Sequence, residues 1–326
     1  YKRQEEDWTT NARADLLGLY AAAEAGRGNL EQARSALAKA AEIQADALEV
    51  FKMQARMQLF EDKITAAQDT LAAAQEKYPD DTELMLLSAN AAIRANDTFR
   101  AQQIFQQVVD LGPPKLITRN GRLARIGVVK LHILDGKNQQ ARDLLAPLLK
   151  RNANDLEANY LAGLLALNDK NYDEAETLLR KILKQAPDHA PTLLLLGAVS
   201  YNKGEYEQAA HHLSKYLLMQ SGNLEARKLL GRTYMALEQH DKAAETLQTG
   251  LSDSSKDAEL LALLGLSHLR AGDPLSGIEG LEEAVSVSPE NASLKDELAK
   301  AYIAAGQTDN AVRLLNSIDS EGGGLQ

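Results

Sequence analysis

Five consecutive blocks of 34 residues carry one pattern of small residues and leucines, and a strict period of that length constrains the fold before any single side chain is weighed. With Leu156 as position 1, LEANYLAGLLALNDKNYDEAETLLRKILKQAPDH runs to His189, and the next blocks begin at Ala190, Leu224, Ala258 and Ala292. Position 8 is small in each: Gly163, Gly197, Gly231, Gly265 and Ala299. So is position 20: Ala175, Ala209, Ala243, Gly277 and Ala311. Position 24 is Leu179, Leu213, Leu247, Leu281 and Leu315, and Pro187 and Pro289 stand at position 32. A single unit of this kind cannot bury its own apolar face, so the units must stack into a solenoid.

The register extends backwards. Blocks beginning at Ala14, Leu48, Thr82 and Arg122 place Ala33, Ala67, Ala101 and Ala141 at position 20, and Leu37, Leu71, Phe105 and Leu145 at position 24. The predicted organisation is a segment at 1–13, three repeats over 14–115, an insertion at 116–121 and six repeats over 122–325. The insertion, preceded by Pro113 and Pro114, is expected to alter the stacking path and to separate two stacks. Residues 1–13 read as the end of an upstream helix, and the tail EGGGLQ as a flexible linker. The chain opens on Tyr1 rather than Met, so it is expected to be a fragment or a processed form.

Each block reads as two helices. In the block at Leu156, apolar residues at 160, 161, 164, 165 and 167 follow helical spacing, a turn falls at Asn168–Asn171, and a second helix starts near Tyr172 and ends before Pro187. Glycine recurs in the turn at position 15, as Gly28, Gly136, Gly204, Gly272 and Gly306, where a left-handed conformation can end a helix. The small residues at positions 8 and 20 are expected to face one another and let the two helices approach closely.

This pattern resembles the tetratricopeptide repeat (TPR) over residues 14–325, although the usual Trp at position 4 is replaced by Asn159, Leu193, Arg227, Leu261 and Lys295. The resemblance implies an all-α fold: a right-handed alpha-alpha superhelix, a TPR solenoid of about nine helix pairs, whose concave groove binds a protein or peptide partner. A narrower resemblance lies in the segment from His211 to Leu247 and in the one from Ala258 to Leu315. These look like the repeat lipoprotein of bacterial PEP-CTERM/exosortase exopolysaccharide systems. That likeness implies a scaffold in exopolysaccharide export or envelope assembly, in the periplasm or at the outer membrane, with the cytoplasm as the alternative. No lipoprotein signal lies in this sequence, so membrane association would come only through an anchor outside it.

A formal charge of −10 disfavours general nucleic-acid binding, and the absence of Cys excludes a disulfide framework and thiol chemistry. No catalytic constellation, cofactor loop or metal-ligand spacing stands out, and the chain reads as no enzyme, with no cofactor and no metal. His132 and His268 both fall at position 11 and read as packed, hydrogen-bonded side chains. The adjacent His211 and His212 point to different helix faces.

In tetratricopeptide repeats, positions 2, 5, 9, 12 and 13 tend to face the groove. Positions 5, 9 and 12 here supply Leu86, Ile93, Ile126, Ile133, Tyr160, Leu164, Leu167, Leu194, Tyr201 and Met235, followed by Leu266, Leu269 and Ile303. Such a stripe is either a partner surface or buried by neighbouring repeats, and the sequence leaves both open. Leu164, Leu167, Leu194 and Tyr201 come from adjacent first helices and are expected to converge. The clamp that chaperone-type members use for a C-terminal carboxylate, Asn at position 9 with Lys at 5 and 13, is largely missing: Asn90 and Arg94 alone approach it. From Leu111 to Leu134 there is no Asp or Glu, while Lys115, Arg119, Arg122, Arg125 and Lys130 fall there. These residues form an anion-binding candidate for an acidic peptide or an anionic polysaccharide, set against a patch neutralised by nearby carboxylates.

Overall fold

The computed structural model describes residues 2–112, 117–251 and 257–322, and among them the chain forms eighteen α-helices and no strand. It divides into two compact units, residues 1–161 and 162–326. The first holds the helix pairs α1 (Lys2–Gly26) with α2 (Leu30–Gln44), α3 (Leu48–Phe60) with α4 (Ile64–Lys77), α5 (Thr82–Arg94) with α6 (Thr98–Leu111) and α7 (Arg119–Leu134) with α8 (Asn138–Arg151). The division falls within α9 (Leu156–Asn168). The second unit continues with α10 (Tyr172–Gln185), α11 (Ala190–Asn202) and α12 (Tyr206–Met219), then α13 (Leu224–Ala236) and α14 (His240–Leu251). It ends with α15 (Ala258–Ala271), α16 (Pro274–Val287), α17 (Ala292–Ala304) and α18 (Thr308–Gly322).

The sequence register and the helices coincide closely. All nine second helices begin at position 17, and seven of the nine first helices begin at position 1. The exceptions are α1, which runs through residue 13 without a break, and α7, which starts three residues early at Arg119. Side-chain caps fix several starts. Position 34 supplies Asp81, Asp155, Asn223, Asp257 and Asn291, whose side-chain oxygens accept from backbone N–H groups of the next first helix. Thr118 does the same for α7, accepting from the Gly121 N–H at 3.0 Å. Such caps satisfy donors that the first turn leaves unpaired.

The turn between paired helices uses a left-handed residue at position 15 in all nine repeats. Five are the expected glycines, with φ between 71° and 89°. The other four are Asp62, Asn96, Lys170 and Glu238, with φ between 58° and 61°.

Close approach of the paired helices works differently from the expected facing of positions 8 and 20. A Cβ on Gly163, Gly197 or Gly231 would lie 2.9, 2.6 or 2.7 Å from Leu179, Leu213 or Leu247 respectively, so position 8 is small to admit the leucine at position 24. Only Gly265 directly meets position 20 among these glycines, where a Cβ would lie 2.8 Å from the Gly277 carbonyl oxygen. The alanines at position 20 are fully buried beside this contact.

The expected change of stacking path at 116–121 falls in part on Leu116, which lies outside the described residues, and buried packing continues across the junction. Ala89 and Ala92 on α5, Ala101, Phe105 and Val108 on α6, and Ala124, Val128 and Leu131 on α7 form one buried cluster across the third and fourth repeats. Residues 119–121 are absorbed into α7, and the compact units divide forty residues further on, at 161/162, rather than at the insertion.

Candidate partner-binding groove

The first helices place the predicted groove residues on a partly solvated face. Leu86, Ile133, Tyr160, Leu164, Leu167, Leu194 and Tyr201 are half-buried, and Ile93 is 42% exposed. Leu266 and Leu269 are half-buried, and Ile303 is exposed. Ile126 and Met235 correct the expectation: at 2% and 8% exposure they belong to the core and offer no surface. Some of the half-buried residues also serve the core. Leu86 packs against the third-to-fourth repeat cluster, and Leu194 against the cluster that holds Leu193, Leu213 and Tyr216. Tyr201 makes an edge contact with Tyr206, with ring centroids 5.6 Å apart.

An apolar concavity lies in the first three repeats, where the sequence reading placed only Leu86 and Ile93. A pocket of about 550 Å³ opens between α1, α2 and α3. Its floor and sides are Leu19, Ala22, Leu30, Met53, Met57 and Phe60. Arg34, Glu49, Arg56, Glu61 and Glu83 stand around them. Leu19 and Phe60 are 52% and 72% exposed, so large apolar side chains here meet solvent. Leu19 and Met53 occupy position 6 and Met57 position 10, outside the groove positions used in the sequence reading, while Phe60 stands at position 13 and Ala22 at position 9 is too small to mark a pocket.

Charge on the first helices is arranged in two equivalent clusters, one in each unit. Lys52 at position 5 lies 3.0 Å from Glu49, 3.1 Å from Asp81 and 3.1 Å from Glu83. Arg56 at position 9 completes it by pairing with Glu83. Lys228 repeats the geometry, at 2.7 Å from Glu225, 3.2 Å from Asp257 and 2.8 Å from Glu259, with Arg232 on Glu259. Both lysines are buried. Burial alone would lower their pKa values, but the hydrogen bonds that Lys52 donates to Glu49, Glu83 and Asp81 more than reverse this for Lys52. Glu225 and Asp257 do the same for Lys228, so both lysines stay charged. Each cluster ties one first helix to the next, because two of its carboxylates come from position 34 and from position 2 of the following repeat.

Two of the five residues of the basic patch are neutralised from the same two positions. Arg122 makes a bidentate pair with Asp155 at 2.7 Å and reaches Glu157 at 3.4 Å, and Lys130 holds Glu157 at 2.8 Å. The hydrogen bonds from Arg122 hold the Asp155 carboxyl below its ordinary range. Arg122 and Lys130 are therefore already paired with carboxylates. Arg119 is exposed and Arg125 half-buried, and Lys115 lies outside the described residues. The clamp residue Arg94 is likewise engaged, with Asp62 at 2.7 Å and with the Leu59 carbonyl.

The histidines are also corrected in part. His132 is buried as expected, but its Nδ1 has no hydrogen-bond partner among the described residues. His212 is buried and His211 exposed, on different faces of α12. Among the described residues there is no cluster of three or more His, Asp or Glu able to hold a metal ion, and no helix is long and apolar enough to cross a membrane.

The helix pairs, their left-handed turn at position 15 and the close contact between positions 8 and 24 define a tetratricopeptide-type helical repeat protein. Tetratricopeptide-repeat family models match residues 134–190 and 268–324, and the model of anaphase-promoting complex, cyclosome, subunit 3 matches residues 168–250. No curated protein matches the chain. Among solved structures, the chain is similar to the APC/C hetero-tetramer Cut9–Hcn1, with 20% identity and a TM-score of 0.61, over 82% of this chain and 52% of that one. It thus spans about half the length of that structure's chain. A tetratricopeptide repeat protein from Parabacteroides merdae is 18% identical, with a TM-score of 0.54, over 78% of this chain and 98% of that one. MamA from Desulfovibrio magneticus RS-1 is 19% identical, with a TM-score of 0.50, over 52% of this chain and 97% of that one. At these identities the likeness is one of fold.

Proposed function

We propose that the chain is a non-enzymatic scaffold whose first-helix face takes up a segment of a protein partner. The observation that carries this reading is the apolar surface left on that face: the pocket at Leu19, Met57 and Phe60, and the half-buried stripe at Leu164, Leu167, Leu194 and Tyr201. Large apolar side chains facing water on a concave surface are a usual mark of a partner site. Cut9, which shares the fold, occurs in a hetero-tetramer with Hcn1. The neutralised Arg122 and Lys130 weigh against direct capture of anionic polysaccharide. The setting we propose, bacterial exopolysaccharide export in the periplasm or at the outer membrane, rests on the resemblance of the segments between His211 and Leu315 to repeat lipoproteins of those systems.

The test is Leu164→Asp with Leu194→Asp. The pair should abolish capture of the native partner while far-UV circular dichroism stays helical. A folded double variant that still binds normally would move recognition off this face. An unfolded one would show that the two leucines serve the core alone.

A further inference from the structure

We infer that copies of this chain join end to end, the outer face of α18 in one copy docking on the outer face of α1 in the next. This goes beyond the scaffold reading and does not rest on it.

The interior junctions set the rule. Where one repeat meets the next, positions 24 and 27 of a second helix share a buried cluster with positions 3 and 7 of the following first helix. Phe105 and Val108 do so with Ala124 and Val128. Leu213 and Tyr216 do so with Ala226 and Leu230, and Leu247 with Leu260 and Leu264. In the later repeats position 21 joins the same clusters, as Ala210, Ala244 and Ile278.

Each end of the chain shows half of that junction to solvent. In the first repeat, positions 3 and 7 are Leu16 and Tyr20, 67% and 50% exposed. In the last repeat, positions 21 and 24 are Val312 and Leu315, 50% and 39% exposed. The alanine at position 8 of the last repeat does not expel Leu315. Leu71, also at position 24, is fully buried in one cluster with Ala55, the alanine at position 8 of its own repeat. What differs is that no first helix follows α18 among the described residues. At the other end, an interior second helix covers positions 3 and 7 because the chain turns back before position 1, as at 78–81 between α4 and α5. The chain makes no such turn in α1, which runs unbroken from Lys2 to Gly26.

A second copy therefore brings to each end the half that is missing there, with apolar side chains at the matching positions. Stacking removes from water the apolar surface that terminal units of a solenoid usually replace with polar residues. The contact joins two different patches, so it is heterologous and builds a ring or a filament rather than a two-fold dimer.

Sedimentation of the full chain over about 1–100 μM tests this, with far-UV circular dichroism as the check on folding. The unaltered chain should associate as concentration rises. Leu16→Asp with Tyr20→Asp, and separately Val312→Asp with Leu315→Asp, should each weaken association at least about tenfold. All four sites are exposed, so helicity should be kept. The same pairs changed to Ser replace any Asp variant that loses it. Mixing the two double variants in equal amounts is the deciding measurement. Each retains the end that the other lacks, so the mixture should form one-to-one pairs and nothing larger. An unaltered chain that stays monomeric would overturn the inference and leave both ends to another occupant. Association that either double variant leaves unchanged, or a mixture that stays monomeric, would overturn it as well. The scaffold reading stands or falls separately, because Leu164→Asp with Leu194→Asp touches neither end.

Discussion

Gly127 exists to admit the ring of Phe105: a Cβ on Gly127 would lie 2.6 Å from two of the ring carbons. Phe105 stands at position 24, where most repeats have Leu, and Gly127 at position 6 of the following repeat, where most have Leu or Met. A larger residue in one repeat is offset by a smaller one in the next, at the junction that carries the insertion. Gly127→Ala should therefore destabilise the first unit by about 1 kcal/mol, the overpacking cost exceeding the gain in helix propensity. Adding Phe105→Leu should recover most of it. A double-mutant cycle in chemical denaturation checks this, and additive effects would show that the two sites do not press on one another.

The turns make a prediction of opposite sign. Lys170 and Glu238 hold φ of 61° and 58° at a position where five repeats use glycine. Lys170→Gly should stabilise its repeat by roughly 0.5–1 kcal/mol, because the steric cost of a left-handed Lys exceeds the added freedom of glycine in the unfolded chain. Thermal melts of the single variant suffice to measure it.

The register and the helix starts were legible in the sequence because both follow from the 34-residue period. What it hid was which groove positions the neighbouring helices seal. Ile126 and Ile93 sit at groove positions 5 and 12 of adjacent repeats, yet one is sealed and the other solvated. The left-handed residues Asp62, Asn96, Lys170 and Glu238 carry no glycine to announce them. The partners of Arg122 and Lys130 lie 27 to 35 residues away, outside a local window. The period does bring them close, since positions 34 and 2 adjoin the previous first helix.

Lys228 is the clearest electrostatic element. Lys228→Met keeps most of the stem's packing but leaves Glu225, Asp257 and Glu259 facing one another, and should cost about 2 kcal/mol. Asp257→Asn with Glu259→Gln in the Lys228→Met background should restore part of the loss. Urea denaturation of the three variants distinguishes repulsion from lost packing.

His212 gives the chain a pH dependence. Burial, then His211 and Arg180, lower its pKa to about 4, with Glu176 opposing. Its folded pKa thus lies below the unfolded value of 6.5, so the unfolded chain takes up the proton first. Stability from this group is complete above pH 6.5 and declines as pH falls towards about 4. Near pH 5 the loss should be about 1 kcal/mol after allowance for solvent screening. Its Nδ1 has no partner to lose, and the equivalent position is Leu144 and Leu178 in other repeats. His212→Leu should therefore be near neutral at pH 7 and should flatten the melting temperature between pH 7 and 5.

The first-helix face, rather than the second-helix face, is the proposed binding face. Photo-crosslinking residues placed one at a time at Phe60, at Leu164 and at Glu207, which is exposed on second helix α12, test it in the native cell. Crosslinks to a protein partner are expected from Phe60 or Leu164 and none from Glu207. Crosslinks from Glu207, with none from either groove position, would contradict it.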